Sequence, residues 1–178
     1  MPPLVVMGVS GCGKSTVGAL LAERLGMPFL DGDDFHPAAN KEKMAAGVPL
    51  TDDDRAPWLV RIGELLAGDN DGGTTVPPVV ACSALKRSYR DLLRSSAPEV
   101  VFIHLSGSAA TIAARMDARA HEFMPRTLLE SQLATLEGLG PDEAHALVDI
   151  SLEPGALVET VVRELEVRAG AVRNPAAL

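Results

Sequence analysis

Gly8-Val9-Ser10-Gly11-Cys12-Gly13-Lys14-Ser15 has the spacing G-x-x-x-x-G-K-S. Each part of that spacing has a chemical use. The glycines allow backbone turns that aim several N–H groups at one phosphate, and the helix that follows adds its positive end. Lys14 supplies a point charge for β- and γ-phosphates, and the Ser15 hydroxyl suits Mg²⁺. An apolar run, Leu4–Met7, precedes the loop, and a helical pattern through Val17, Leu20, Leu21 and Leu25 follows it. Strand, loop and helix in that order predict a nucleoside triphosphate cradle built from Gly8, Ser10, Gly11, Cys12, Gly13, Lys14, Ser15 and Thr16.

A second set of reactive groups lies in Phe29-Leu30-Asp31-Gly32-Asp33-Asp34-Phe35-His36-Pro37. Phosphoryl transfer to an alcohol needs a carboxylate to orient and deprotonate the hydroxyl, and another can hold a water on Mg²⁺. Asp33 is the candidate base. Asp31 is the candidate for the metal-bound water, because the segment ending at Cys82-Ser83 lacks the acidic residue usual there. Extended backbone would point Asp31 and Asp33 to opposite sides, but Gly32 permits a sharp turn between them. Asp34 reads as a cap for the next helix.

The elements that must position these groups alternate. Leu4–Met7, Met27–Leu30, Val79–Cys82, Val100–Leu105 and Leu147–Ile150 read as five short buried strands. Helical patterns cover Lys14–Leu25, Ala38–Ala46, Asp53–Ala67, Lys86–Ser95, Ala109–Arg119, Arg126–Leu136 and Ala156–Arg168. Continuous apolar strands separated by helices predict an α/β fold with a parallel sheet covered on both faces and ligands at the strands' carboxyl ends. One domain over residues 1–169 accommodates all of it, with a polar surface connection at Gly68–Thr75 and a frayed tail at 170–178.

The 178 residues carry a formal net charge of −8, which disfavours nucleic acid as the main partner. No leader pattern or long apolar run opens the chain, so a cytoplasmic protein with no membrane contact is expected. The two cysteines, Cys12 and Cys82, read as small residues in a reducing compartment. The sharper alternative is that Cys12, beside a helix N-terminus, has a lowered pKa.

Several blocks together resemble gluconate kinase (gluconokinase), a family of small phosphate-loop kinases. They are Met7–Gly11, Leu30–Asp33 with His36-Pro37, Asn40–Met44, Pro49–Arg55 with Pro57–Leu59, Cys82–Lys86 with Tyr89–Leu93, His121 with Phe123–Pro125, and Leu128–Gln132. They span nearly the whole chain. The resemblance implies ATP-dependent phosphorylation of D-gluconate at its 6-hydroxyl, giving 6-phosphogluconate and ADP, with Mg²⁺. It also implies a fold similar to shikimate and nucleoside monophosphate kinases, a mobile lid at about residues 117–127, and a homodimer.

Gluconate is an anion with a row of hydroxyls, so its site needs cations and mixed donors. Arg55, Lys86 and Arg90 are the cationic candidates, with Trp58 as either core or pocket wall and His36 as either a hydroxyl partner or a helix-entry residue. Lys86 and Arg90 are four apart at a helix start and are expected to share a face. Ser83 stands where it could meet substrate or metal-bound water, and Asn40, Lys41 and Lys43 lie on the acceptor side, Asn40 with the alternative of supporting the turn. In the lid, Arg119 is the candidate to neutralise the transferred group, Arg115 the alternate or an adenine contact, and His121 a further substrate contact. Where the family usually has proline soon after Thr-Leu-Glu, this chain reads Thr135-Leu136-Glu137-Gly138-Leu139-Gly140-Pro141, leaving the post-lid turn open. The rival readings are a kinase for another small metabolite such as shikimate, and a nucleotide-driven switch or transport ATPase; the chain lacks the guanine-reading Asn-Lys-x-Asp of the switches.

Overall fold

Four consecutive apolar residues, Leu4–Met7, form β1 and expose nothing to solvent. Such a strand belongs at the centre of a sheet covered on both faces. A computed structural model of the chain describes residues 1–68, 76–118 and 126–173. Five parallel strands lie in the order β2-β3-β1-β4-β5, with β2 at Phe29–Asp31, β3 at Val79–Ala81, β4 at Val101–Ser106 and β5 at His145–Asp149. Val5 of β1 stands beside Val80 on one side and Phe102 on the other.

The two-residue period of β1 divides the core. Leu4 and Val6 pack with Val17 and Leu21 of α1 (Lys14–Leu25) and Leu157 and Val161 of α7 (Pro154–Arg173). Val5 and Met7 face the other way, onto Trp58 and Ile62 of α3 (Asp52–Leu66) and Leu93 of α4 (Arg87–Ser96). Truncating a fully buried aliphatic side chain such as Ile62 to alanine costs about 2–5 kcal/mol. The remaining helices are α2 (Ala38–Ala45), α5 (Ala109–Ala118) and α6 (Arg126–Thr135).

Local chemistry sets the element ends. Gly26, at φ 65°, closes α1 by donating its N–H to the Ala22 and Glu23 carbonyls. Met27 still bonds back to Ala22 and Pro28 has no N–H to give, so β2 begins at Phe29 instead of Met27. Thr51 and Asp54 form a reciprocal capping box at the start of α3, whose first turn holds Asp52, Asp53 and Asp54 against the positive helix end. Pro154 opens α7, where its missing N–H costs nothing. That helix runs on to Arg173, past the Arg168 end that the sequence pattern predicts and through the segment from Gly170 expected to fray. A 3-10 turn at Gly32–Phe35, absent from the sequence reading, follows β2 directly. Among the described residues no helix is long and apolar enough to cross a membrane.

Candidate active site

β1 sits mid-sheet, so the loop after it emerges at the centre of the carboxyl edge, flanked by the ends of β2 and β3 on one side and of β4 and β5 on the other. In that loop Gly8, Gly11 and Gly13 hold φ of 139°, 81° and 102°, values L side chains rarely adopt. A Cβ on Gly8 would also stand 2.9 Å from the Leu105 carbonyl oxygen. Gly13 caps α1 without a side-chain acceptor, which leaves the helix's first N–H groups facing outward for an anion. Lys14 Nζ donates to the Val9 carbonyl at 3.2 Å, drawing the lysine back across the loop. Ser10 is clamped from α6: its N–H donates to Gln132 Oε1 at 2.6 Å, and Gln132 Nε2 donates to Ser10 Oγ at 3.0 Å. Cys12 is buried beneath, and burial pushes its thiol pKa up despite the opposing pull of Lys14. The lowered pKa considered from sequence is therefore corrected: a desolvated thiol outweighs the helix end. Cys82, also buried, is pushed up to about 12.

The acidic turn meets the loop directly. Ser15 Oγ donates to Asp31 Oδ2 at 2.6 Å, while Asp31 Oδ1 accepts the Asp33 N–H at 3.1 Å. Asp31 caps the 3-10 turn, and the N-cap of α2 is Pro37 instead of the Asp34 expected from sequence; Asp34 offers its carbonyl to Lys41 Nζ at 2.8 Å. The turn breaks the alternation that would have opposed Asp31 and Asp33. It leaves the Asp33 carboxylate 79 % exposed beside the loop. A hydroxyl and a carboxylate converging on one point are hard oxygen donors of the kind Mg²⁺ takes together with substrate phosphates. Among the described residues no cluster of three or more His, Cys, Asp or Glu could hold a metal by itself, so this donor set fits an ion shared with a nucleotide.

Behind Asp33 the 3-10 turn rests on α3. Trp58 Nε1 donates to the Gly32 carbonyl at 2.7 Å, and its ring stacks on His36 with centroids 4.1 Å apart and planes inclined by 15°. Trp58 is a core residue that supports the turn, which decides between its two sequence readings. His36 is buried as well, and desolvation with the nearby Arg55 and Lys41 charges lowers its pKa to about 4. Asn40 spans His36 Nδ1 at 3.3 Å and the Asp54 carbonyl at 2.7 Å. Lys43 pairs with Asp54 at 2.7 Å and holds that carboxyl down at about 2.

Arg55, Lys86 and Tyr89 form one cationic corner. The Arg55 guanidinium lies 5.9 Å and the Lys86 ammonium 5.5 Å from the Tyr89 ring centre. Arg55 donates to the Leu50 carbonyl at 2.6 Å, and to Thr51's, instead of pairing with the aspartates beside it. Lys86 pairs with Asp52 at 2.7 Å, and the Tyr89 hydroxyl donates to the same carboxylate.

Arg90 does not join that corner. It is wholly buried, with Nε donating to Glu143 Oε1 at 2.6 Å and Nη2 to Glu143 Oε2 and the Gly138 carbonyl. Nη1 donates to the carbonyls of Ala84, Leu85 and Glu137. Every guanidinium nitrogen is spent inside the protein, so its expected role on the substrate carboxylate is corrected to a structural one. The reason lies in geometry. Lys86 is the N-cap of α4 with extended backbone, so the rule that residues four apart share a helix face does not reach it. The same Arg90 bonds fix the turn at Glu137–Pro141, with Glu137 N–H donating to the Leu85 carbonyl at 2.8 Å.

Ser83 follows β3 and its carbonyl accepts the Gly8 N–H at 3.3 Å, tying it to the loop through backbone. Arg115 of α5 donates to the Ile150 carbonyl at the exit of β5. Thr16 lies exposed in the first turn of α1. Arg119 and His121 fall outside the described residues, as does most of the expected lid. Sequence reasoning gave no role to Gln132, Tyr89, Asp52 or Glu143. Gln132, Tyr89 and Asp52 stood in the family-like blocks, and nothing local marked Glu143.

A family model described as shikimate kinase matches residues 10–141. Over 163 residues the chain is 47 % identical to a gluconokinase of Gluconobacter oxydans, an alignment covering 92 % of this chain and 90 % of that one. A crystal structure of a gluconokinase from Sinorhizobium meliloti is similar with a TM-score of 0.89 and 46 % identity, covering 98 % of this chain and 97 % of that chain. A shikimate kinase structure from Aquifex aeolicus, at 16 % identity and a TM-score of 0.58, shares the fold alone, over 94 % of this chain and 98 % of that one.

Proposed function

The chain belongs to the gluconokinase family, and on that premise we propose that its acidic turn and phosphate loop together transfer a phosphoryl group from ATP to the 6-hydroxyl of D-gluconate. Asp33 accepts the hydroxyl proton. The O6–phosphorus bond forms as the bond from the γ-phosphorus to the β,γ-bridging oxygen breaks, leaving 6-phosphogluconate and ADP. Lys14 and the loop N–H groups neutralise the charge that gathers on the phosphoryl oxygens. Ser15 would hold Mg²⁺, with Asp31 acting through a water; the ion supplies further charge neutralisation on the β- and γ-phosphates. Arg55 and Lys86 would meet the gluconate carboxylate, and Arg119 would close on the transferred group, with Arg115 toward the adenine. The family reading also brings a two-fold homodimer working in the cytoplasm; light scattering on the purified protein checks the dimer.

The observation that carries this reading is the 2.6 Å bond from Ser15 to Asp31, which joins the acidic turn to the nucleotide cradle. Asp33→Asn is expected to lower kcat on gluconate by about 10²–10⁴-fold while calorimetry still shows gluconate binding. An unchanged kcat would remove Asp33 as the base. ADP release across gluconate, shikimate, glucose and nucleoside monophosphates tests the acceptor, and turnover confined to one of the others would replace gluconate.

A further inference from the structure

His36 has a fixed proton inventory that the scheme above does not use. Asn40 Nδ2 lies 2.7 Å from the Asp54 carbonyl oxygen, which can only accept, so that atom is the amide NH₂ group. Its second hydrogen is directed at His36 Nδ1, 3.3 Å away. An amide NH₂ can only donate, so Nδ1 must accept and carry no proton. Burial and the Arg55 and Lys41 charges keep the ring neutral at physiological pH. The single ring proton is therefore on Nε2, and Nε2 lies 3.9 Å from Asp33 Oδ1. Stacking on Trp58, itself bonded to the Gly32 carbonyl, stops the ring from turning that proton elsewhere.

We propose that His36 is a positioning residue: its Nε2–H, placed by Asn40, orients the Asp33 carboxylate toward the acceptor hydroxyl. The present 3.9 Å separation is longer than a hydrogen bond and shortens when acceptor and nucleotide fill the cleft, as catalytic contacts in ligand-free enzymes commonly do. A neutral donor suits this task. It directs one carboxylate oxygen without the full charge of an imidazolium, which would depress the basicity of Asp33. This proposal rests on Asp33 being the base, as set out above.

Long-range ¹H–¹⁵N correlation of the unaltered protein at neutral pH reads the tautomer directly. The Nε2–H form is expected, and an Nδ1–H form would overturn the proposal. Side-chain replacements then locate the function. Glutamine can place an amide N–H near the Nε2 position, whereas asparagine reaches only the Nδ1 position. His36→Gln should keep most of the turnover, and His36→Asn and His36→Phe should each lose about 10-fold or more in kcat, with the gluconate KM moving less than about twofold. In an Asp33→Asn background none of the three should cost further activity, because their effect passes through that carboxylate. Losses that multiply, or a raised KM with kcat intact, would mean that His36 touches substrate independently and would sink the proposal. Circular dichroism excludes any variant that fails to fold, and the tautomer measurement stands without variants. Failure of the underlying reading appears separately, as full activity of Asp33→Asn itself or as an unaltered protein that leaves gluconate unphosphorylated.

Discussion

The two halves of the cleft are made from different materials. On the proposed nucleotide side the surface is backbone: positive-φ glycines, the outward N–H groups at the start of α1, and one lysine, all within eight consecutive residues. On the proposed acceptor side it is a composite of side chains, with Asn40, Trp58, Arg55 and Lys86 each held by a partner distant in the chain. A backbone site carries its own geometry wherever it occurs. A composite site depends on which side chains are left over once the fold has taken those it needs, and Arg90 was taken.

The difference can be tested hardest at Lys14. Lys14→Met should reduce kcat by about 10³-fold or more in a coupled ADP assay, with the unfolding midpoint barely moved. A large loss of stability instead would make the loop lysine part of the fold. Arg90→Met should behave in the opposite way. Removing it takes the main cationic partner from the buried Glu143 carboxylate, which burial pushes up in pKa but Arg90, with the Gly140 N–H and Arg87, holds below its ordinary value, at a cost of about 3–5 kcal/mol in urea unfolding. If Arg90→Met instead raised the gluconate KM without destabilising the protein, the guanidinium would belong to the acceptor side after all.

Arg55→Gln addresses the surviving cationic corner. The gluconate KM should rise by about 10-fold or more, with the ATP KM unchanged, because a charge-assisted bond to the acceptor carboxylate is lost. An equal effect on both substrates would show that the corner is not confined to the acceptor. The smallest effect concerns acid. Asp54 titrates at about 2 because Lys43 and the Thr51 cap favour its charged form. Its folded pKa lies below its unfolded one, so its stabilising contribution is present above the ordinary carboxylate range and fades as pH falls toward 2. Asp54→Asn should therefore flatten that part of the stability profile between about pH 5 and about pH 2, and an unaltered slope would assign the acid sensitivity elsewhere.

These contrasts also explain what the sequence made legible. The sheet, its parallel sense and the Lys14–Leu25 helix follow from apolar runs and from a contiguous loop motif, which need no partner to be recognised. Asp31 and Ser15 could be anticipated only as two groups suited to one Mg²⁺; β3 lies between β1 and β2, so their contact reaches across the carboxyl edge of the sheet and not between neighbouring strands. The family-like block around Trp58 marked the residue but not its orientation, since a buried indole and a pocket wall look alike without coordinates. Arg90 was misread because its partner, Glu143, lies 53 positions away and no local pattern advertises the pair. Asp34 reads as the cap of α2 because the 3-10 turn that contains it has too few residues to declare its own period, and Pro37 stands at that N-cap instead.

The double contact between Ser10 and Gln132 ties the shape of the cradle to the rotational phase of α6. A helix advances by about 100° per residue, so inserting or deleting a single position between Arg126 and Gln132 would swing the amide off the loop without altering any residue of the motif. Length in that stretch is thereby as constrained as composition is in the motif itself, and homologous chains that change it are expected to have found another anchor for the serine.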